Sequence, residues 1–376
     1  MKINSSFDSG NIEVVSTDNP SNITLNIPTD SNSEFKQWFH FKAHGNADAE
    51  YGFEILNAKD CSYVDGWENY QVVASYDRQY WFRVDTEYTA DKTLKFKHQF
   101  EQDTVYFSYF EPYSYERHQN LIQAAQLSAI CEHRVIGDTV DGRDIDLLVI
   151  GDESKERKIW ITARQHPGET MAEWCAEGFI DRLLDINDAL SRSLLEKAVI
   201  YVVPNMNVDG SYRGNLRSNA AGANLNREWQ NPSLDKSPEV YHVREMMKKT
   251  GVDAYLDIHG DEALPYVFVA GTEGVPSYSD KVKALEDEFK AILMSVNPDF
   301  QDEYGYDKDE PGKANLTVAN SWVGEAFNCL SYTLEMPFKE NANLPNQETG
   351  WSGERSYILG QTLLNPLYQL VDKLRT

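Results

Sequence analysis

The sequence predicts an α/β protein in two parts: an antiparallel β-sandwich over residues 1–113, then an α/β/α domain with a mixed central sheet over residues 114–376. Three observations carry that prediction. The chain has 376 residues, enough for two cores, because a single hydrophobic core stops growing near about 250–300 residues. Its first part alternates apolar and polar residues with period two. Its second part alternates short apolar runs with stretches of helical periodicity.

In the first part, residues 93–100 set Leu94, Phe96, His98 and Phe100 on one face of a strand. Residues 72–76 and 80–84 continue the pattern, and short strands spaced by turns suggest a sandwich. The rhythm changes after Pro112. A helix is predicted from Ser114 to Cys131, with Leu121, Ala124, Ala125 and Ala129 along one stripe. Beyond it, 147–150, 159–163 and 199–203 are largely unbroken apolar runs, as expected of strands buried on both faces. Residues 254–258, 266–270 and 330–334 add three more, with helical stretches at 170–184, 238–250, 278–295 and 354–374. In such sheets, sites form where loops leave the carboxyl ends of strands.

Bulk properties narrow the partners. A formal net charge of -25 argues against a nucleic-acid or anionic-membrane partner, since both need a basic surface, and such a field also repels acidic substrates. No run of about 18 apolar residues occurs, and the start, Met1 to Asp8, lacks the apolar core of a signal peptide. Cys61, Cys131, Cys175 and Cys329 are scattered without metal spacing and read as buried free thiols of a reducing compartment. The expectation is a soluble, cytoplasmic protein. The sequence carries no signal of oligomeric state.

His166-Pro167-Gly168-Glu169 follows the strand ending at Ala163. The interval alone says little, because His98/Glu101 and His242/Glu245 repeat it. Residues three apart in a strand point to opposite faces, which removes the first of these. The second lies on a charged helix with Arg244, Lys248 and Lys249, where an ordinary surface pair is expected. Pro167 and Gly168, by contrast, enforce a tight turn that can aim His166 and Glu169 at one point above the sheet. A second strand end supplies His259, with Gly260 letting the backbone turn away. Two imidazoles and one carboxylate leave a fourth tetrahedral position open, the catalytic arrangement of zinc. The plain alternative is two satisfied loop histidines.

Ala163-Arg164-Gln165-His166-Pro167-Gly168-Glu169-Thr170, followed by Trp174, resembles the metal motif of zinc metallocarboxypeptidases, in particular the cytosolic carboxypeptidase branch. Residues 203–210 resemble that family's next segment, with Val208 where proline is usual. Gly214-Asn215-Leu216-Arg217, Asn224-Leu225-Asn226-Arg227-Glu228-Trp229, His259 and Ser331-Tyr332-Thr333-Leu334-Glu335 follow in order. The tyrosine-rich stretch 109–115 resembles the branch's junction between an N-terminal β domain and the catalytic domain.

The resemblance implies one zinc per chain on His166, Glu169 and His259, with Glu335 as general base. It implies Arg217 for the oxyanion, and Asn226 and Arg227 for the substrate's terminal carboxylate, which suits arginine's planar fork. The family's substrate-covering tyrosine has no clean match; Tyr304 and Tyr306 are the candidates, with Tyr306 the one expected to bind substrate. Deglutamylating relatives carry a basic residue before the catalytic strand, and Lys313 is the candidate for it. The implied activity is release of C-terminal residues, with glutamate the expected preference, from peptides or proteins. A zinc amidohydrolase acting on N-acyl amino acids is the second reading. A non-catalytic peptide-binding protein is the third, although such a protein is expected to lose a ligand or the base, and none is missing.

Overall fold

The structure, a computed structural model, describes residues 1–375. Ten strands occupy the first 108 residues: β1 (Lys2–Asn4), β2 (Glu13–Ser16), β3 (Ile23–Asn26), β4 (His40–His44), β5 (Glu50–Ile55), β6 (Val72–Ser75), β7 (Phe82–Val84), β8 (Thr86–Tyr88), β9 (Leu94–Gln99) and β10 (Thr104–Ser108). They form two five-stranded sheets, β1-β4-β10-β6-β7 and β2-β3-β5-β9-β8. On β9 the period-two pattern does the sorting: Leu94 and Phe96 are buried, while Lys95 and Lys97 face solvent. The inner faces meet through aromatic rings, Phe53 of β5 lying 6.0 Å from Phe41 of β4 and 5.1 Å from Phe107 of β10. Among these strands only β3 and β5 pair in parallel. The cause is topological: β4 intervenes in the other sheet, so the chain returns by a crossover instead of a hairpin.

The second part begins with α1 (Tyr115–Ala125), β11 (Cys131–Asp138), β12 (Asp144–Ile150), β13 (Arg157–Ala163), α2 (Thr170–Leu184), α3 (Ala189–Leu195), β14 (Ala198–Val203) and α4 (Val208–Arg213). It continues with α5 (Pro238–Thr250), β15 (Ala254–Asp261), β16 (Phe268–Ala270), α6 (Asp280–Val296), α7 (Ala319–Phe327), β17 (Leu330–Pro337), α8 (Gly353–Thr362) and α9 (Leu364–Leu370). The sheet order is β11-β12-β14-β13-β15-β17-β16, with β14, β13, β15 and β17 parallel and the flanking strands antiparallel. Successive residues of β13 feed two cores. Ile159 and Ile161 pack in the cluster containing Met171 of α2 and Leu359 of α8, whereas Trp160 packs with Val240 of α5 and Ala319 of α7. Helices therefore cover both faces, giving three layers.

Four local expectations need correction. The helix predicted to Cys131 ends at Ala125, and Cys131 instead opens edge strand β11. Leu121, Ile122 and Ala125 are buried but Ala124 and Ala129 are exposed, so a further turn would have nothing to pack on. The helix predicted over 354–374 breaks at Leu363 into α8 and α9, with Pro366 in the first turn of α9, where a missing N–H costs no helical bond. The strand expected from Tyr80 starts at Phe82. Finally, β15 and β17 run two residues past His259 and Glu335. Cys61, Cys175 and Cys329 are buried free thiols, while Cys131 is half-buried. Among the described residues, no helix is long and apolar enough to cross a membrane.

Candidate metal centre and active site

Arg164, just past β13, has φ 58°, a left-handed backbone that costs a residue with a Cβ roughly 1–2 kcal/mol. Its buried guanidinium offsets this. Nη1 donates to Glu173 Oε2 at 2.7 Å and to the Tyr113 carbonyl at 2.9 Å, while Nε donates to the Pro167 carbonyl at 3.0 Å. The arginine thus ties down the turn that carries His166 and Glu169. Gly168 within that turn donates to the Leu216 carbonyl at 2.8 Å, and a Cβ there would sit 3.0 Å from the same oxygen. That is tighter than most Cβ contacts, so the close approach favours glycine.

Register supplies the rest. Strand β13 ends with Ala163 opposite Ile258, which frees the following residues of β15 to face the turn. On the other side of β15, His259 pairs with Glu335, so adjacent parallel strands set these two side by side. The outcome is a compact donor set, with His166, Glu169 and His259 all buried and their ligand atoms within 4.8 Å of one another.

His166 Nδ1 lies 2.6 Å from Glu169 Oε1, and His259 Nδ1 lies 2.7 Å from Glu169 Oε2. Each ring's other nitrogen has an acceptor, Asn224 Oδ1 at 3.0 Å for His166 and Asp257 Oδ2 at 2.8 Å for His259. With those Nε2 atoms donating, both Nδ1 lone pairs point at carboxylate oxygens. Lone pairs at such range repel unless a proton or a metal cation lies between them. The residues therefore fit a divalent ion, and two imidazoles with one carboxylate suit zinc. Burial, with Arg217 nearby, lowers the His166 pKa to about 4, which keeps its lone pair free. Burial opposes charge on Glu169 and on His259, but their mutual attraction and the Asp257 carboxylate outweigh it, holding Glu169 ionised and making His259 strongly basic.

Glu335 is 6 % exposed; burial pushes its pKa well above the carboxylate range. Oε1 lies 3.1 Å from the Tyr306 hydroxyl, itself 2.7 Å from Asp261 Oδ2, and Oε2 has no partner. An orphaned buried oxygen of this kind is costly, and marks a place where another group binds. Arg217 lies over the Tyr63 ring at 5.2 Å and the Phe35 ring at 5.8 Å. Asn226 accepts the Ala319 N–H at 2.8 Å and sits 3.5 Å from His259 Nε2, while Arg227 Nη1 donates to the Asn226 carbonyl at 2.7 Å.

One cavity of about 520 Å³ gathers His166, Glu169, His259, Glu335, Arg217, Asn226, Arg227 and Tyr306. Tyr304 also lines it, stacked on Tyr266 at 4.5 Å. Lys313 does not: it is exposed outside the lining, its N–H donating to the Glu310 carbonyl in a surface turn. The two decoy pairs have other partners, Tyr76 at 2.8 Å from His98 and Lys248 at 2.7 Å from Glu245.

Sequence reasoning gave no role to Asp257, Asn224 or Tyr63. A signal existed for Asp257, two positions before His259 in a strand and hence on the same face. Tyr63, from the first part of the chain, left none.

A mixed α/β sheet with an N₂O donor set and a buried carboxylate beside it defines a metal-dependent hydrolase. The zinc carboxypeptidase family model matches residues 119–358, and that of the cytosolic carboxypeptidase N-terminal domain matches residues 3–110. The chain belongs to the zinc carboxypeptidase family, hydrolases of peptide bonds. An uncharacterized protein of Zymomonas mobilis is 46% identical over 374 residues, covering 100% of this chain and 97% of its own length. A metallo-carboxypeptidase from Pseudomonas aeruginosa, solved with (2-guanidinoethylmercapto)succinic acid, is 48% identical with a TM-score of 0.98 and 100% coverage of both chains. Cytosolic carboxypeptidase 1 of Xenopus laevis is 29% identical over 328 residues, 72% of this chain but only 26% of that longer protein.

Proposed function

We propose that this chain is a cytoplasmic carboxypeptidase that removes single residues from free C-termini of peptides or proteins, using one zinc ion held by His166, Glu169 and His259. The observation that carries it is the single cavity joining the donor set, the unpartnered Glu335 oxygen and the Asn226–Arg227 pair. A zinc ion bound there supplies Lewis acidity. Glu335 takes the proton of the attacking water and returns it to the leaving amine. Arg217 offers fixed positive charge to the oxyanion, while Asn226 and Arg227 bind the terminal carboxylate. Tyr306, hydrogen-bonded beside Glu335, covers the departing residue.

Of the two supports for a glutamate preference, the resemblance to the cytosolic branch and a cation at Lys313, the second falls away with Lys313 at the surface. Two lysines line the cavity, but Lys290 pairs with Asp302 at 2.9 Å and Lys308 with Glu273 at 2.8 Å. Glu303, Asp307 and Asp309 add further negative charge. Such a lining favours a cationic or neutral side chain. The guanidino compound bound by the Pseudomonas relative is in keeping with that reading.

The test compares one peptide with a free and an amidated C-terminus. Amidation should remove most cleavage, since it leaves Arg227 without its anionic partner, a loss of roughly 2–5 kcal/mol if the pair is desolvated. Equal rates would reject the exopeptidase reading and favour an endopeptidase or amidase.

A further inference from the structure

Asp30 lies in the connection between β3 and β4, in the first part of the chain, yet it is 4% exposed and bonds the backbone of Arg217, which lines the active-site cavity. Its carboxylate accepts three consecutive backbone N–H groups, from Leu216 at 2.6 Å, Arg217 at 2.8 Å and Ser218 at 2.9 Å, and the Ser218 hydroxyl at 2.9 Å. Three of these donors converge on Oδ2 and the fourth, Leu216 N–H, reaches Oδ1, so both carboxylate oxygens are committed to one short segment. The Asp30 loop is itself closed by its own N–H donating to the Phe35 carbonyl at 2.7 Å, which sets the Phe35 ring against the Arg217 guanidinium. Ser31 donates its N–H to Asn215 Oδ1 at 3.0 Å, and Asn32 Nδ2 donates to the Ala220 carbonyl at 2.8 Å. The same loop thus holds the segment on both sides of Arg217.

The grip extends to the metal turn, because the Leu216 carbonyl accepts the Gly168 N–H between His166 and Glu169. Among the described residues Arg217 makes no close ion pair, although Glu262 and Glu169 attract it at longer range, so its direct contacts are its backbone bonds and the Phe35 and Tyr63 rings. Both of those rings, like Asp30, come from the N-terminal β part. A charge that stabilises an oxyanion works through fixed placement, and a shift of about 1 Å in such a group costs on the order of 100-fold in rate.

We infer that Asp30 is a positioning residue for catalysis: by holding the 216–218 backbone, it and its loop fix Arg217, which makes the N-terminal β domain part of the catalytic device. This rests on the proposed role of Arg217, and the experiment separates the two. Kinetics of the zinc-loaded full chain are measured for wild type, Asp30→Asn, Arg217→Ala and the double variant, together with zinc content and thermal melting. Asparagine keeps the shape but turns an amino group toward N–H donors. Asp30→Asn should lower kcat about 10- to 100-fold with zinc content unchanged and KM within about three-fold of wild type. In the Arg217→Ala background it should cost less than about three-fold, which a merely structural role would not produce. Near-normal turnover of Asp30→Asn, or an equal loss in both backgrounds, overturns the inference. Near-normal turnover of Arg217→Ala instead overturns the role of Arg217 and the inference with it. Should Asp30→Asn fail to fold, Phe35→Leu, outside the cavity lining, replaces it. A smaller kcat loss that vanishes with Arg217→Ala supports the inference, and no loss rejects it.

Discussion

Asp257 and His259 leave the same face of β15, and Asp257 Oδ2 accepts from His259 Nε2 at 2.8 Å. The acid is held in turn: Gln165 Nε2 donates to the same oxygen at 2.6 Å and the Thr162 hydroxyl to Oδ1 at 2.8 Å. This fixes the ring so that Nδ1 faces Glu169 and raises its basicity as a ligand. Asp257→Ala should therefore weaken zinc binding about 10- to 100-fold, read by competition with a chelator. Wild-type affinity would remove Asp257 from the metal site. His242→Ala, the decoy, should leave affinity unchanged.

Metal retention and turnover should separate at Glu335. His166→Ala or His259→Ala removes a ligand and should strip the zinc. Glu335→Gln preserves shape and should keep close to one zinc per chain while turnover falls by at least about 100-fold, the scale of general acid–base catalysis. Metal analysis beside a peptide-release assay checks both. A Glu335→Gln protein with wild-type turnover would eliminate this residue as the base.

The sequence made legible what depends on local pattern. Period-two alternation marked β9, and unbroken apolar runs marked β13 and β14, because those strands are buried on one and two faces respectively. The turn at Pro167-Gly168 distinguished His166 from His98 and His242. Edge strand β11 was hidden, since its half-exposed Cys131-Glu132-His133-Arg134 gives no apolar run. Asp30 was beyond reach for another reason: its partner Arg217 is 187 residues away, and only the packing of one sheet system on another joins them. Lys313 lies outside the cavity lining because proximity in sequence to the Glu335 strand does not decide which way a surface turn faces.

Substrate charge gives the third prediction. Peptides ending in lysine, arginine, leucine and glutamate, otherwise identical, should be released with the cationic ends favoured and glutamate slowest. The paired state of Lys290 and Lys308 leaves a glutamate side chain facing Glu303, Asp307 and Asp309, whereas a cation is attracted to them. These acids are exposed, so the preference should weaken as salt is raised. Mass spectrometry of the products decides it, and glutamate released fastest at low salt would reverse the reading of the pocket.

The last prediction concerns stability and lies in the network behind the metal turn. His118 of α1 is 1% exposed, with Nδ1 2.7 Å from Glu173 Oε1 and Nε2 3.0 Å from Asp146 Oδ2. Glu173 also binds Arg164 at 2.7 Å and Asn205 at 2.9 Å, and Asp146 also binds His133 at 2.7 Å. Burial opposes the charge on His118, but the two carboxylates outweigh it and raise its pKa to about 9. The folded value lies above the ordinary 6.5, so the stabilisation is complete below about pH 6.5 and is lost as pH rises through about 9. His118→Gln, which cannot take the charge, should thus be most destabilised relative to wild type near pH 6. That gap should narrow by up to about 3 kcal/mol toward pH 9.5 in urea unfolding, since each pKa unit is worth about 1.4 kcal/mol. A gap that stays constant over this range would mean that His118 is neutral in the folded protein, and that Glu173 and Asp146 are held by Arg164 and His133 instead.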